Sequence, residues 1–586
     1  MARASLTKCL AGLLTLQTAL GFPVKSKEAG QSGTASLPIL EEGQLGAVAS
    51  ESNVCSHIGI ELLNLGGNAA DVMVGTVACI GVVGMYHSGF GGGGFMLVRA
   101  PNGTYEFIDF RETAPAAAFE DMYKNNTDAS IRGGLASGVP GEVRGLQYLH
   151  DKYGVLPWAT VLTPAVKVAR YGWRVNEDLV KYMASAIASA RQNTTSNFLI
   201  DDVEFALDFA PRGRLLQLNE SITRKRYANT LETIAQEGPD AFYNGPIAEA
   251  TIRALQAANG TMTLEDLANY TVAIRKPSTI TYHDYKLTAC SAPSGGEVAL
   301  ATLKIMEGYC GVGDPDNINL TTHRLDESMR FAYGMRAELG DPLFLNGMDK
   351  YQEQMLSEAT ALEIRNKISD TTTFDVAYYD PDGLESLETP GTSHIVTADS
   401  TGLAITLTTT VNLLFGSKLV VPETGVIMNN EMNDFSIPNT TNAFGYIPSP
   451  ANFIRPGKRP LSSIAPVIVE HRNATLANAF YVAIGAAGGS RIITATIQNL
   501  IHILDRNRTA AEALVEPRMH DQLVPAQVSF EYGFDNGTTA FMEALGSNVT
   551  WVAPGSSAAQ ALRRLANGTF EAASEPRQRN AAGFVV

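Results

Sequence analysis

Two spacings of apolar residues divide the chain. Between Ser52 and Tyr86 apolar positions recur at helical steps around Gly66-Gly67-Asn68, which predicts two helices broken at the glycines. The glycine-rich stretch Ser88–Gly94 leads into strand-like Phe95–Arg99, a turn at Pro101-Asn102-Gly103, and a second extended run at Phe107–Phe110 that Pro115 closes off. From Val139 to about residue 370 amphipathic helical spacing dominates, as in Pro164–Tyr171, Ile247–Ala258, Ala299–Tyr309 and His323–Leu339, the last stopped by Gly340-Asp341-Pro342. Period two returns in Ser393–Asp399 and Leu403–Val411, joined by Ser400-Thr401-Gly402, a hairpin signature. Its second strand sets Thr406, Thr408 and Thr410 on one face, with Asn412 to follow if the strand persists. Gly425–Met428 reads as a further short strand and Ile492–Leu504 as a helix. Periodicity therefore gives mixed α and β structure with one hydroxyl-rich sheet face, and no fixed repeat.

The two ends of this pattern are different in kind. Residues 1–21 have the form of a secretory signal peptide, with Arg3 and Lys8, apolar Cys9–Leu20, and small Ala19 and Gly21. The apolar run is well short of the ~20 residues that span a bilayer, so a cleaved leader is expected over a retained anchor. Residues 22–45 read as a flexible lead-in, and residues 371–391, with Pro381-Asp382-Gly383 and Pro390-Gly391, as an exposed connector suited to a cut.

Composition narrows the partners. A formal net charge of −16 and the lack of a basic run exclude nucleic acid. Thirteen Asn-x-Ser/Thr sequons predict N-glycosylation in a eukaryotic secretory pathway, extracellular or vacuolar in destination. Of five cysteines Cys9 leaves with the leader. Nearest-neighbour pairing of the rest, Cys55–Cys79 and Cys290–Cys310, closes the shortest loops; buried free thiols are the alternative. No CxxC, HExxH or close His pair points to a metal, and no cofactor is expected. Gly89-x-Gly91-x-x-Gly94 has the letters of a dinucleotide fingerprint, but helix precedes it and strand follows, the reverse of what such a turn needs. The glycines are expected to serve close backbone packing.

The candidate chemistry gathers around Thr392. It stands between Gly391 and the first strand of the hairpin, and Asn429-Asn430-Glu431-Met432-Asn433-Asp434 supplies a dense set of acceptors suited to an ammonium group. Taken singly, a threonine-rich hairpin is ordinary β-propensity, the acidic stretch a solvated loop, and Arg111 a paired surface cation. Their order says more. Thr392-Ser393-His394, then Thr408-Thr409-Thr410-Val411-Asn412-Leu413-Leu414-Phe415-Gly416-Ser417, then Gly425 to Ser436, together resemble the start of the small chain of the γ-glutamyltransferases, the γ-glutamyl transpeptidases of the N-terminal-nucleophile hydrolases. The resemblance continues in Lys458-Arg459-Pro460-Leu461-Ser462-Ser463, Gly488-Gly489-Ser490-Arg491-Ile492 and Glu575-Pro576-Arg577, and reaches back to about Gly46.

That resemblance implies an α/β/β/α sandwich, cut by its own chemistry between Gly391 and Thr392 into a large chain, residues 46–391, and a small catalytic chain, residues 392–586, that remain one body. A threonine hydroxyl is a poor nucleophile without a base, and a free N-terminal threonine carries one in its own α-amine, with a pKa near about 8. The implied roles are Thr392 as nucleophile, Thr410 as its orienting hydroxyl, and Gly488 and Gly489 as the oxyanion hole. Arg111, with Ser462 and Ser463, would hold the substrate α-carboxylate; Asn412, Glu431 and Asp434 would hold its α-ammonium. The implied donors are glutathione and other γ-glutamyl compounds, and the acceptors water, amino acids and dipeptides. Asn433, the Gly485-Ala486-Ala487 that precedes the motif of Ser490, and the Pro293-Ser294-Gly295-Gly296 turn depart from the usual pattern and bear on acceptor preference. His394 reads as a structural hydrogen-bonding group rather than a base. The rivals are a glutaryl-type cephalosporin acylase, which needs no ammonium site, and an inactive glycosylated surface protein.

Overall fold

Alternation along the strands sorts the core into layers. The computed structural model describes residues 42–191, 197–384, 391–438 and 447–586. The expected signal peptide and most of the lead-in, through residue 41, lie outside the described residues. Strands Ser393–Asp399 and Ala404–Thr410 pair antiparallel as a hairpin at the middle of a seven-stranded sheet. Gly46–Ser50 and then Ala582–Val585 flank its first strand; Gly93–Arg99, Tyr105–Asp109 and Ala273–Arg275 follow its second, every neighbour antiparallel. The segments before and after Gly391 are thus interleaved in one sheet, which is why a cut between them need not separate them.

A six-stranded antiparallel sheet stacks on this one, in the order Phe570–Ala573, Ala558–Arg564, Phe480–Ala487, Val467–His471, Tyr285–Ala289, Ser278–Tyr282. Ala47, Phe95, Leu97 and Val396 face the second sheet and share a core with Val467 and Ile484, which runs on to helices Gly296–Met306, Ile318–Arg336 and Arg491–Leu504. Their strand neighbours Val48, Met96, Val98 and Ile395 face the opposite way, into a core with helices Asn53–Asn64, Ala69–Val83, Trp158–Tyr171 and Lys225–Glu237. Period-two residues point to alternate faces, so two apolar sets per strand require a cover on each side. The result is an αββα sandwich. Among the described residues no helix is long and apolar enough to cross a membrane.

The first two helices break where the glycines stand, and the second is restarted by a capping box: Asn68 Oδ1 accepts from the amides of Ala70 (2.9 Å) and Asp71 (3.2 Å), while Asp71 Oδ2 accepts from the Asn68 amide (3.0 Å). A disulfide between Cys55 and Cys79 ties these helices together. The second expected bridge is not formed: Cys290 is buried and free at the end of a strand, and Cys310 is free and exposed. Helix Gly296–Met306 lies between them; at about 1.5 Å per residue it carries Cys310 well beyond the ~7 Å Cα separation a disulfide tolerates. A short loop in sequence does not close when most of it is helix.

The glycine-rich loop is a packing device, as its polarity requires. A β-carbon on Gly92 would stand 2.0 Å from the Thr410 carbonyl oxygen, and one on Gly94 2.1 Å from that of Thr408, so only glycine lets this backbone lie against the hairpin. Two extended expectations fail. Gly425–Met428 makes only an isolated bridge, Val420 with Ile427; its apolar residues are buried by a loop rather than by a ladder. The hairpin's second strand ends at Thr410, and Asn412 has a φ of +70°, so it leaves the threonine face instead of continuing it.

Candidate active site

Thr392 immediately precedes the first hairpin strand and is only 7% exposed. It lies in a cleft of about 340 Å³ whose walls include His87, Tyr182, Leu414, Gly488 and Ser556. Its Oγ accepts a hydrogen bond from the Gly488 amide at 2.9 Å. Gly488 and Gly489 follow the strand Phe480–Ala487 of the second sheet and precede helix Arg491–Leu504, so the stacked sheet delivers this donor to the nucleophile. Their φ values of +123° and +61° and a β-carbon on Gly488 only 2.4 Å from the Ser556 carbonyl oxygen restrict Gly488 to glycine. The positive end of a 14-residue helix dipole lies at the same corner.

Thr410 pairs just beyond the Thr409–Ser393 register, beside Thr392. In the continuous chain its hydroxyl donates to the Gly391 carbonyl oxygen at 2.7 Å and accepts from the Asn412 amide, also at 2.7 Å. The bond therefore goes to the carbonyl of the Gly391–Thr392 peptide, not to the Thr392 side chain. Gly391 has a φ of +133°, and a β-carbon there would stand 2.3 Å from the Asn412 carbonyl oxygen. His394, on the same sheet face, bonds Thr408 Oγ1 (2.8 Å) and Thr406 Oγ1 (3.2 Å). Burial lowers its pKa to about 3, which leaves it a neutral structural group.

Behind the hairpin lies a buried set of charges. Arg111 is 1% exposed and pairs through Nη1 with Glu431 and through Nη2 with Asp434, residues 320 and 323 positions away. Burial disfavours its charge, but Glu431, Asp434 and Glu112 outweigh that and push its pKa up. Burial raises the pKa of both Glu431 and Asp434, with Arg111 opposing. Glu112 is pushed up to about 8 by burial, again against Arg111. Arg111 Nε, Glu431 Oε2 and Asp434 Oδ1 are buried without a hydrogen-bond partner, so the set retains capacity for further polar contacts.

Of the remaining expected residues, Asn412 and Ser463 join this set indirectly, whereas the described hydrogen bonds of Ser462 go elsewhere. Asn412 Nδ2 donates to the Asn430 carbonyl oxygen at 3.0 Å and fixes the acidic turn Glu431–Asp434 against the hairpin. The Ser462 amide donates to the Pro293 carbonyl at 2.8 Å, and Ser463 Oγ accepts from Arg336 Nη2 at 3.2 Å. Arg336, a buried residue at the end of helix Ile318–Arg336, is a second cation acting on Asp434 that sequence reasoning missed. Its helical spacing marks it only as a helix residue. Asn433 donates through Nδ2 to Ser130 Oγ at 2.8 Å. Among the described residues no group of three or more His, Cys, Asp or Glu side chains could hold a metal.

Stacked antiparallel sheets with a threonine at the head of a central strand, its hydroxyl held by a backbone amide from the facing sheet, define an N-terminal-nucleophile hydrolase fold. Within that class a family model described as gamma-glutamyltranspeptidase matches residues 55–585. The glutathione hydrolase proenzyme of Arthroderma benhamiae is 54% identical over 561 residues, covering 93% of each chain. Among solved structures, a cephalosporin acylase from Bacillus halodurans superposes with a TM-score of 0.80 at 25% identity, over 95% of this chain and 98% of that one. Gamma-glutamyltranspeptidase from Helicobacter pylori superposes with a TM-score of 0.51 at 27% identity, over 61% of this chain and 96% of that one. The chain belongs to the γ-glutamyltranspeptidase family.

Proposed function

We infer that this chain is a γ-glutamyltransferase and glutathione hydrolase that matures by cutting itself between Gly391 and Thr392. One contact supports the cut directly. Thr392 Oγ adds to the Gly391 carbonyl carbon, and Thr410, 2.7 Å from that carbonyl oxygen, donates to the charge that develops on it. The hydroxyl proton passes to the Thr392 nitrogen as the C–N bond breaks, leaving an ester and a free α-amine. Water then hydrolyses the ester, giving the Gly391 carboxylate and the Thr392 hydroxyl.

In the mature enzyme the Thr392 α-amine takes the hydroxyl proton as Oγ adds to the γ-carbonyl of a γ-glutamyl donor. The oxyanion is taken by the amides of Gly488 and Gly489, and the proton goes on to the leaving amine. Water or an acceptor amine then resolves the acyl-Thr392 ester. A donor's free α-amino acid end is a zwitterion, and the buried charges match it: Glu431 and Asp434, with Asn412, take the ammonium, and Arg111, with Ser462 and Ser463, takes the carboxylate. A planar guanidinium can hold that carboxylate through two parallel bonds.

The observation that carries the assignment is the pairing of Arg111 with both Glu431 and Asp434 in a buried set with unmet bonding capacity. A glutaryl donor has no ammonium to require two carboxylates, and complete burial of unneeded acids is costly. We further propose entry into the secretory pathway through the leader at residues 1–21, with an extracellular or vacuolar destination. Of the eleven sequons within the described residues, ten have an exposed asparagine and Asn319 is half-buried, which suits glycan attachment; the Cys55–Cys79 disulfide suits an oxidising compartment.

Denaturing electrophoresis with N-terminal sequencing, followed by assay of γ-glutamyl and glutaryl anilides, tests the reading. Two fragments, one beginning at Thr392, and preference for the γ-glutamyl donor are expected; Thr392→Ala should remain one chain. Normal cleavage of that variant, or preference for the glutaryl donor, would overturn it.

A further inference from the structure

Away from Thr392, the asparagine of one sequon stands at the edge of a groove. Asn219, of Asn219-Glu220-Ser221, is exposed and lines an open groove of about 650 Å³, within the size range of small-molecule sites. Its backbone is held there. The short strands Trp173–Arg174 and Ser221–Ile222 pair antiparallel, and the Asn219 amide donates to the Val175 carbonyl at 2.8 Å. The Val175 amide donates to the Glu220 carbonyl at 2.9 Å, and Arg174 Nη1 to the Asn219 carbonyl at 3.0 Å. Asn219 has a φ of +68°, a left-handed conformation that asparagine adopts more readily than most residues.

The groove lining is mixed in the way a neutral sugar requires. Val54 and Leu218 are exposed apolar residues on its walls, and Trp173, also in the wall, has a buried Nε1 without a hydrogen-bond partner. Asn53 and Asn580 add amides; Asn580 Nδ2 donates to Asp178 at 2.9 Å, which leaves its Oδ1 to accept. The groove also spans the two sides of the proposed cut. Val54 and Trp173 precede Gly391, whereas Arg579, Asn580 and Ala581 follow Thr392. The two sides already touch: the Asn53 amide donates to the Asn580 carbonyl at 2.6 Å, and the Asn580 amide to Asp178 at 3.0 Å.

We propose that this groove seats the inner N-acetylhexosamine residues of an N-glycan on Asn219, and that the seated sugar clamps the C-terminal segment of the small chain to the large chain. This rests on the secretory reading above. In the modifying step Asn219 Nδ2 bonds to the anomeric carbon of a lipid-diphosphate-linked oligosaccharide. The bond from that carbon to the phosphate oxygen breaks, the lipid diphosphate leaves with the electron pair, and Nδ2 gives up one proton. Because the stem is fixed at the groove edge, the first sugars are already confined beside their seat and docking them costs little further freedom. The C–H face of the sugar covers Val54 and Leu218, its acetamido carbonyl supplies the acceptor that Trp173 lacks, and a hydroxyl donates to Asn580 Oδ1.

The test uses the full chain secreted from a eukaryotic host and fully cleaved, with glycan release followed site by site by mass spectrometry. A peptide N-glycosidase should release the native glycan of Asn219 at least about tenfold more slowly than that of Asn259, an exposed sequon asparagine outside the groove, and the two equally after denaturation. Val54→Glu, at an exposed position in the first turn of helix Asn53–Asn64, should abolish the protection at Asn219 and leave Asn259 unchanged. Asn219→Gln should speed amide exchange in strand Ala582–Val585 by about three- to tenfold, and Asn259→Gln should not. Equal native release at the two sites overturns the proposal, as does protection that survives Val54→Glu or unchanged exchange in Asn219→Gln. An Asn219 that carries no glycan overturns it while other sequons are occupied; if no sequon is occupied, the secretory reading itself fails and the seat falls with it.

Discussion

Asp434 gives the sharpest separation of donor recognition from structure. It is 5% exposed and pairs with Arg111 Nη2, while Glu431 holds Nη1. Asp434→Asn preserves shape and leaves Arg111 one full carboxylate partner, so the guanidinium is not stranded in the core. The ammonium of a γ-glutamyl donor loses one of its two negative partners. A hydrogen bond to a charged group contributes about 1.5–3 kcal/mol, and burial here means little solvent screening to discount. At 1.4 kcal/mol per decade, kcat/KM for a γ-glutamyl anilide should fall about ten- to a hundredfold. A glutaryl anilide has no ammonium, and its kcat/KM should change by less than about threefold. Both donors are measured on the fully cleaved protein, with a thermal melt to confirm the fold. Equal losses for the two donors would make Asp434 a structural residue and refute the reasoning.

Burial raises the pKa of Asp434 and Glu431, and both must be ionised to hold an ammonium, so the acidic limb of kcat/KM for the γ-glutamyl donor should lie above the ordinary carboxylate range, with activity lost as pH falls; a limb at the unshifted position argues against these residues. Thr410→Val keeps the β-branch in the strand but removes the donor to the Gly391 carbonyl, and should slow appearance of the Thr392 fragment by about a hundred- to a thousandfold on a cleavage time course. Arg111→Lys should leave cleavage intact and raise the donor KM about tenfold, because the two-point carboxylate contact is lost; an unchanged KM in the cleaved variant would remove Arg111 from donor binding. Glu297 is buried and its pKa is pushed up to about 8, so its contribution to stability is complete below its unfolded pKa of about 4.5 and lost as pH rises through 8. Melting of Glu297→Gln should therefore gain on the wild type between pH 5 and 8, and parallel pH profiles would contradict the shift.

What the chain's pattern discloses is local. The first hairpin strand matches its period-two run residue for residue, and the second falls one residue short at each end, because turn residues and alternation are themselves local properties. The break between the first two helices is legible for the same reason: Asn68 and Asp71, three apart, are the two halves of its cap. Gly425–Met428 shows the limit, since an apolar run says that residues are buried but not whether a ladder or a loop buries them. Cys290 and Cys310 show another, because proximity in sequence ignores the helix between them.

Long-range pairing was legible only as type and order. Glu575-Pro576-Arg577 stands out as a motif in the sequence, but its role is spatial: Glu575 pairs with Arg518 and Arg577 at 2.9 Å each, and Arg577 with Glu531 at 2.6 Å, which braces the C-terminal segment against the end of strand Val528–Glu531. Arg111 and Asp434 could be named from their neighbours; that they hold each other could not. This mutual pairing has a thermodynamic consequence. A donor must exchange the Arg111–Asp434 and Arg111–Glu431 contacts for its own, so its binding free energy is the difference between two charge-paired states rather than the sum of new contacts. A ligand carrying only one of the two charges would break the pairing and leave a buried partner unmatched, whereas a zwitterion replaces both sides at once. Discrimination in favour of a free α-amino acid end then follows from the cost of half-satisfying this site, and it grows with the depth of burial that made the residues indistinct in the sequence.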